Sequence, residues 1–137
     1  MDVTSSMNIV YTLKEKISSK SFIDILKRST LGERRPIDNV KCIQGMLDHA
    51  DILVVAMDGE KIVGIARAIS DFNYACYLSD LAVDVAYQKM GIGQGLIAKV
   101  KEQLEVGCKI ILLSAPDAVG YYPKVGFVGH DSAWVLK

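Results

Sequence analysis

The segment Gln88-Lys89-Met90-Gly91-Ile92-Gly93-Gln94-Gly95 stands between a predicted strand and a predicted amphipathic helix, and its chemistry is anion binding. The first N–H groups of a helix lack internal partners, and the helix dipole adds partial positive charge there. Glycines remove the Cβ atoms that would hold a pyrophosphate away from those donors. Two nucleotide-binding versions of such a turn fail on the residues. A dinucleotide fold requires G-x-G-x-x-G with an acid about 20 positions later. Here Leu96 stands at the third glycine position, and Ile110 to Leu113 carries no acid. A phosphate loop ends in G-K-[ST], a tripeptide found nowhere in the chain. A turn whose glycines merely relieve strain is the competing reading.

A second candidate is Glu33-Arg34-Arg35, between the first two predicted helices. Paired arginines can clamp a carboxylate or a phosphate; the alternative is a solvated basic corner. The remaining reactive types are scattered. His49 and His130 lack ligand spacing, so no metal site is expected. Cys42, Cys76 and Cys108 are odd in number and form no C-x-x-C pair. They are expected as small core hydrophobes in a reducing compartment rather than as a disulfide framework.

Positioning these residues requires a folded core, and the composition supplies one. The chain has 137 residues, half of them apolar and 23% charged, which predicts a single globular domain over 1–137. Formal net charge is zero, and neither half departs from it by more than one unit. That argues against nucleic acid, whose affinity for proteins comes from surplus lysine and arginine. Apolar runs such as Ile52 to Met57 are too short to cross a bilayer, and Met1-Asp2 opens no leader pattern. A cytoplasmic protein without membrane attachment is the expectation.

The predicted elements run β-α-α-β-β-β-α-β-α-β. Met7 to Leu13 reads as a strand, and Ser18 or Ser19 caps a helix carrying Phe22, Ile25, Leu26 and Ser29 on one face. Asp38 caps a second helix with Val40, Ile43 and Leu47. Ile52 to Met57 and Lys61 to Ile69 flank Asp58-Gly59, a hairpin signal. A strand from Ala75 to Asp84 precedes the glycine turn. Ile92, Leu96, Val100 and Leu104 then mark a helix ending at Gly107. Lys109 to Ser114 is expected as a strand buried on both faces. Asp117 caps a helix to about Val125, and Phe127 to Leu136 forms a last strand.

Gln88, Gly91 and Gly93 match [QR]-x-x-G-x-[GA], the coenzyme A signature of the GNAT superfamily of acetyltransferases. Leu81-Ala82-Val83 resembles the family's central strand, and Ala118 to Phe127 resembles its A-x-x-[FY]-Y-x-x-x-G-F segment. The fold this implies is α/β. Its mixed central sheet has antiparallel N-terminal strands and a splayed parallel central pair, flanked by about four helices.

By the same resemblance, acetyl-CoA is the cosubstrate. Leu81, Ala82 and Val83 would meet its acetyl and pantetheine groups through the backbone. Lys89, Met90, Gly91, Ile92, Gly93 and Gln94, with Gln88, would hold the pyrophosphate, and Tyr121 would touch the cofactor. Tyr122 takes the position of the tyrosine general acid beside the departing sulfur. Asp80 is offered as general base, on the opposite strand face from Tyr77, Ser79 and Leu81; a water chain is the alternative. Arg34 and Arg35 would contact the acceptor. Two departures from the family stand out: Val85 replaces a common proline, and Ala115 an asparagine that contacts the cofactor.

The activity implied is N-acetylation of a primary amine on a small molecule, by direct attack in a ternary complex. A homodimer is also implied. Two other readings stay open: an acyl-CoA sensor without chemistry, and an acetyltransferase of peptide or protein N-termini.

Overall fold

The computed structural model describes residues 8–137. Met7 of the expected first strand, and the opening Met1-Asp2, lie outside them. Among the described residues, five strands form one sheet in sequence order: β1 (Ile9–Leu13), β2 (Ile52–Asp58), β3 (Lys61–Ser70), β4 (Ala75–Val83) and β5 (Lys109–Ile111). The first four pair antiparallel, and β4 pairs parallel with β5. Three α-helices accompany them: α1 (Ser19–Arg28), α2 (Val40–Asp48) and α3 (Ile92–Glu102).

β2 shows why the sheet is central. Its alternation puts Ile52, Val54 and Ala56 on one face with Ile92, Leu96 and Val100 of α3. Leu53 and Val55 point the other way, onto Phe22, Ile25 and Leu26 of α1 and Ile43 and Leu47 of α2. Both faces are thus covered by helix stripes. The hairpin turns at Gly59, φ 61°. Ser18 caps α1 by accepting from the Ser21 N–H. Asn39, rather than Asp38, caps α2 by accepting from the Cys42 N–H.

The C-terminal third departs from the sequence expectation. β5 stops at Ile111, and Ile111 and Leu113 are half exposed, so this strand is a short edge and not buried on both faces. The helix expected after Asp117 is two 3-10 turns, Pro116–Ala118 and Tyr122–Val125; proline lies at the start of each. Phe127 to Leu136 forms no strand, and Trp134 and Leu136 are exposed. Gly129 to Ser132 supplies no alternation with which to zip onto β5. The count of about four helices therefore falls to three among the described residues. Cys76 is buried as expected, whereas Cys42 is exposed.

Candidate active site

The site begins where β4 leaves β5. The two strands pair from Ala75–Lys109 to Tyr77–Ile111 and then part, because β5 ends while β4 runs on to Val83. A cleft of about 1150 Å³ opens there. One wall is the free edge of β4, an obligatory row of backbone donors and acceptors without a strand partner. Gln88 Nε2 donates to the Val83 carbonyl at 3.3 Å.

The glycine turn closes one end of the cleft. Gly91 sits at φ 79° as the N-cap of α3, with no side-chain cap, and the first helical bond runs from the Gly95 N–H to the Gly91 carbonyl at 3.1 Å. The N–H groups of Ile92, Gly93 and Gln94 are the unpartnered donors of that terminus. A Cβ on Gly93 would collide with the Tyr121 hydroxyl, so glycine is what lets the ring lie against the turn. Thr30 and Lys89 in the cleft lining both hold positive φ, 70° and 66°, as does Phe72 outside it at 68°. Such backbone costs about 1–3 kcal/mol per residue and concentrates at functional sites.

Tyr122 lies in the 3-10 turn above the cleft. Its ring meets Tyr121 and Phe127 edge-on, at centroid distances of 5.2 and 5.5 Å. Burial raises its phenol pKa, and Tyr121 adds to the rise while the Arg35 charge opposes it. A phenol so placed stays protonated at neutral pH and can donate to a developing anion.

The other end is built from charged side chains. β4 bulges at Ser79, since Arg67 pairs with Asp80 while Ala68 pairs with Leu78. The strict alternation expected to set Asp80 opposite Ser79 is thereby broken. Arg67 reaches both: its Nε donates to Asp80, and its Nη2 donates to the Ser79 hydroxyl at 2.8 Å. Arg35 Nε donates to the second Asp80 oxygen at 2.5 Å, and its Nη2 to the Ser79 carbonyl at 2.8 Å. The Asp80 side chain is fully buried and absent from the cleft lining.

Of the residues singled out from sequence, Leu81, Ala82, Val83, Gln88, Lys89, Gly91, Ile92, Gly93, Gln94, Tyr121, Tyr122, Arg34 and Arg35 all line this cleft. Met90 and Asp80 do not. The two arginines differ in role. Arg35 is turned inward on Asp80 and Ser79, whereas Arg34 is exposed. Sequence reasoning missed Arg67, whose position mid-strand among alanines and isoleucines gave no sign of a partner. It also missed Ser79, which becomes a ligand of Arg67 through the bulge. Among the described residues, no three His, Cys, Asp or Glu side chains converge as a metal site would require.

The pattern of the acetyltransferase (GNAT) domain family matches residues 32–135, and the chain belongs to that family. Among curated proteins, it is 30% identical over 101 residues to an uncharacterized N-acetyltransferase, ycf52, of Pyropia yezoensis, covering 69% of this chain and 56% of that one. The chain spans about half the length of the curated relatives it matches. Among solved structures, a GNAT-family acetyltransferase of Streptococcus pneumoniae superposes with TM-score 0.76 at 22% identity, over 95% of this chain and 99% of that one. The aminoglycoside N-acetyltransferase AAC(6')-Iy, solved with CoA, gives TM-score 0.73 at 17% identity, over 96% and 95%. These likenesses agree with the α/β fold and with the mixed sheet around a parting parallel pair.

Proposed function

We propose that this chain is an acetyl-CoA-dependent N-acetyltransferase acting on the primary amine of a small molecule by direct attack in a ternary complex. One observation carries the reading: the free β4 edge, the bare start of α3 and a protonated Tyr122 all open onto a single cleft. The β4 edge suits an extended pantetheine arm with its two amides, which would lie there as an added strand. The unpartnered N–H groups from Ile92 to Gln94 suit a pyrophosphate. An N–H of β4 aimed at the thioester carbonyl would stabilise the oxyanion that forms on attack.

The protons balance as follows. The acceptor ammonium loses one proton to water, because an alkyl amine is mostly charged near pH 7. Nitrogen then bonds the carbonyl carbon, the C–S bond breaks, and Tyr122 donates its proton to sulfur. The second nitrogen proton leaves and the phenol is restored. Asp80 is the general base that the resemblance offers, with a water chain as its alternative. Both of its oxygens already accept from guanidiniums, so we assign it to holding Arg35 and Arg67, and deprotonation to water in the cleft. The small-molecule acceptor leans on the aminoglycoside enzyme of the same fold, and exposed Arg34 in the cleft lining would meet a carboxylate or phosphate on an acceptor that carries one.

A thermal-shift comparison of acetyl-CoA, NAD and ATP tests the reading, since a ligand that binds the native state raises its melting temperature. A rise with acetyl-CoA alone is expected. No rise with acetyl-CoA would remove the proposal.

A further inference from the structure

We propose that Arg28 and Asp84 form a strut that holds the pyrophosphate-binding turn in place, making both positioning residues for coenzyme A. The inference rests on the acetyl-CoA reading above. Neither residue lines the cleft, yet each directly precedes a segment that does. Arg28 is the last residue of α1, and Ser29, Thr30 and Leu31 after it are in the lining. Asp84 directly follows β4, and Val85, Tyr87, Gln88 and Lys89 after it are in the lining too.

A single guanidinium ties three elements together. Arg28 Nη1 donates to Asp84 Oδ2 at 2.5 Å, Nη2 to the Ile62 carbonyl at 2.7 Å, and Nε to Asp24 at 2.9 Å. The other Asp84 oxygen accepts from the Ala86 N–H at 2.8 Å, capping the 3-10 turn Val85–Tyr87 that feeds the glycine segment. Asp84 also donates its own N–H to the Val63 carbonyl at 2.8 Å. Its side chain is 6% exposed, and Lys61 stands 4.0 Å from it. Burial alone would push the Asp84 carboxyl up, but the Ala86 bond, the Arg28 bond and the nearby cations bring it below its usual value. Tyr87 is pinned in the same turn, its hydroxyl donating to Asp58 at 2.6 Å.

The physical need for a strut is plain. A three-residue 3-10 turn is too short to hold its own geometry. Backbone N–H donors bind an anion well when they are fixed to converge on it. Cutting the strut frees the turn while leaving the β4 edge paired to β3.

The test is calorimetric titration of the whole chain with coenzyme A and, separately, with pantetheine, which lacks the pyrophosphate. Arg28→Ala and Asp84→Asn should each weaken coenzyme A about tenfold, and the double variant little further, because the two act as one unit. Pantetheine binding should change less than about twofold, and Arg28→Lys should recover part of the loss. A merely structural role would weaken both ligands alike, and that result overturns the inference. So does an Arg28→Ala protein with native circular dichroism and unchanged coenzyme A affinity. Should Asp84→Asn fail to fold, Arg28→Ala decides alone, since Arg28 is partly exposed. An unsubstituted chain that binds no coenzyme A removes the acetyl-CoA reading and this inference together.

Discussion

The two ends of the cleft are made of different materials. The turn end presents backbone: the N–H groups of Ile92, Gly93 and Gln94, and the free edge of β4. The Arg35 end rests on side chains: Arg35 and Ser79 line the cleft, and behind them Asp80 and Arg67 lie buried, Asp80 accepting from both arginines and Ser79 from both as well. Backbone groups are present whatever the residue, so the first end tolerates substitution except where a Cβ intrudes. A buried triad of charges tolerates almost none, because each member satisfies the others. One end of this protein is therefore specified by shape and the other by identity.

The contrast can be broken most severely at Asp80. Asp80→Ala leaves Arg35 and Arg67 without their shared carboxylate, one of them buried beside β3. A loss of about 3–5 kcal/mol in folding free energy is expected from urea unfolding. A loss below about 1 kcal/mol would mean the triad is not what holds this end.

At the backbone end, Gly93→Val is the matching test. Its side chain meets the Tyr121 hydroxyl and either displaces that ring or shifts the turn. Coenzyme A affinity should fall about a hundredfold with smaller cost to stability, measured by titration and melting. Unchanged affinity would show that the turn is not the binding surface.

Tyr122 stands where the ends meet and sharpens the comparison. Tyr122→Phe should lower kcat by up to about a hundredfold while acetyl-CoA affinity holds, once an amine panel supplies an acceptor. The raised phenol pKa sets the sign of the pH effect. The group stays protonated through neutrality, and because its pKa is raised its contribution persists past the pH at which a free phenol ionises and is lost only above that. The phenylalanine variant lacks that limb. A Tyr122-dependent loss of rate between pH 6 and 8 would contradict the assignment.

Legibility from sequence follows the same division. The Asp58-Gly59 hairpin, the alternation of β2 and the i, i+4 stripe of α3 are local patterns, and the structure contains each of them, although α3 ends at Glu102 rather than at Gly107 and leaves Leu104 outside it. The glycine turn was equally readable as the bare start of α3, because it lies in contiguous residues. The C-terminal third misled. Apolar composition from Lys109 to Ser114 reads as a buried strand, but whether it is covered depends on a neighbour, and Phe127 to Leu136 does not provide one. The Asp80 pairing was illegible for a related reason. Its partners are 45 and 13 residues away, and the bulge that turns it toward Arg67 has no local sequence mark.

The sequence by itself determined most helix and strand periods, the glycine turn at the start of α3 and the family, all of which depend on residues close together in the chain. Tertiary structure alone decided which carboxylates are spent. Asp80 and Asp84 read alike, four apart at the end of one strand. One meets Arg35 and Arg67, the other Arg28. Ion pairs form between groups that folding brings within a few ångströms, and chain separation carries no information about that distance.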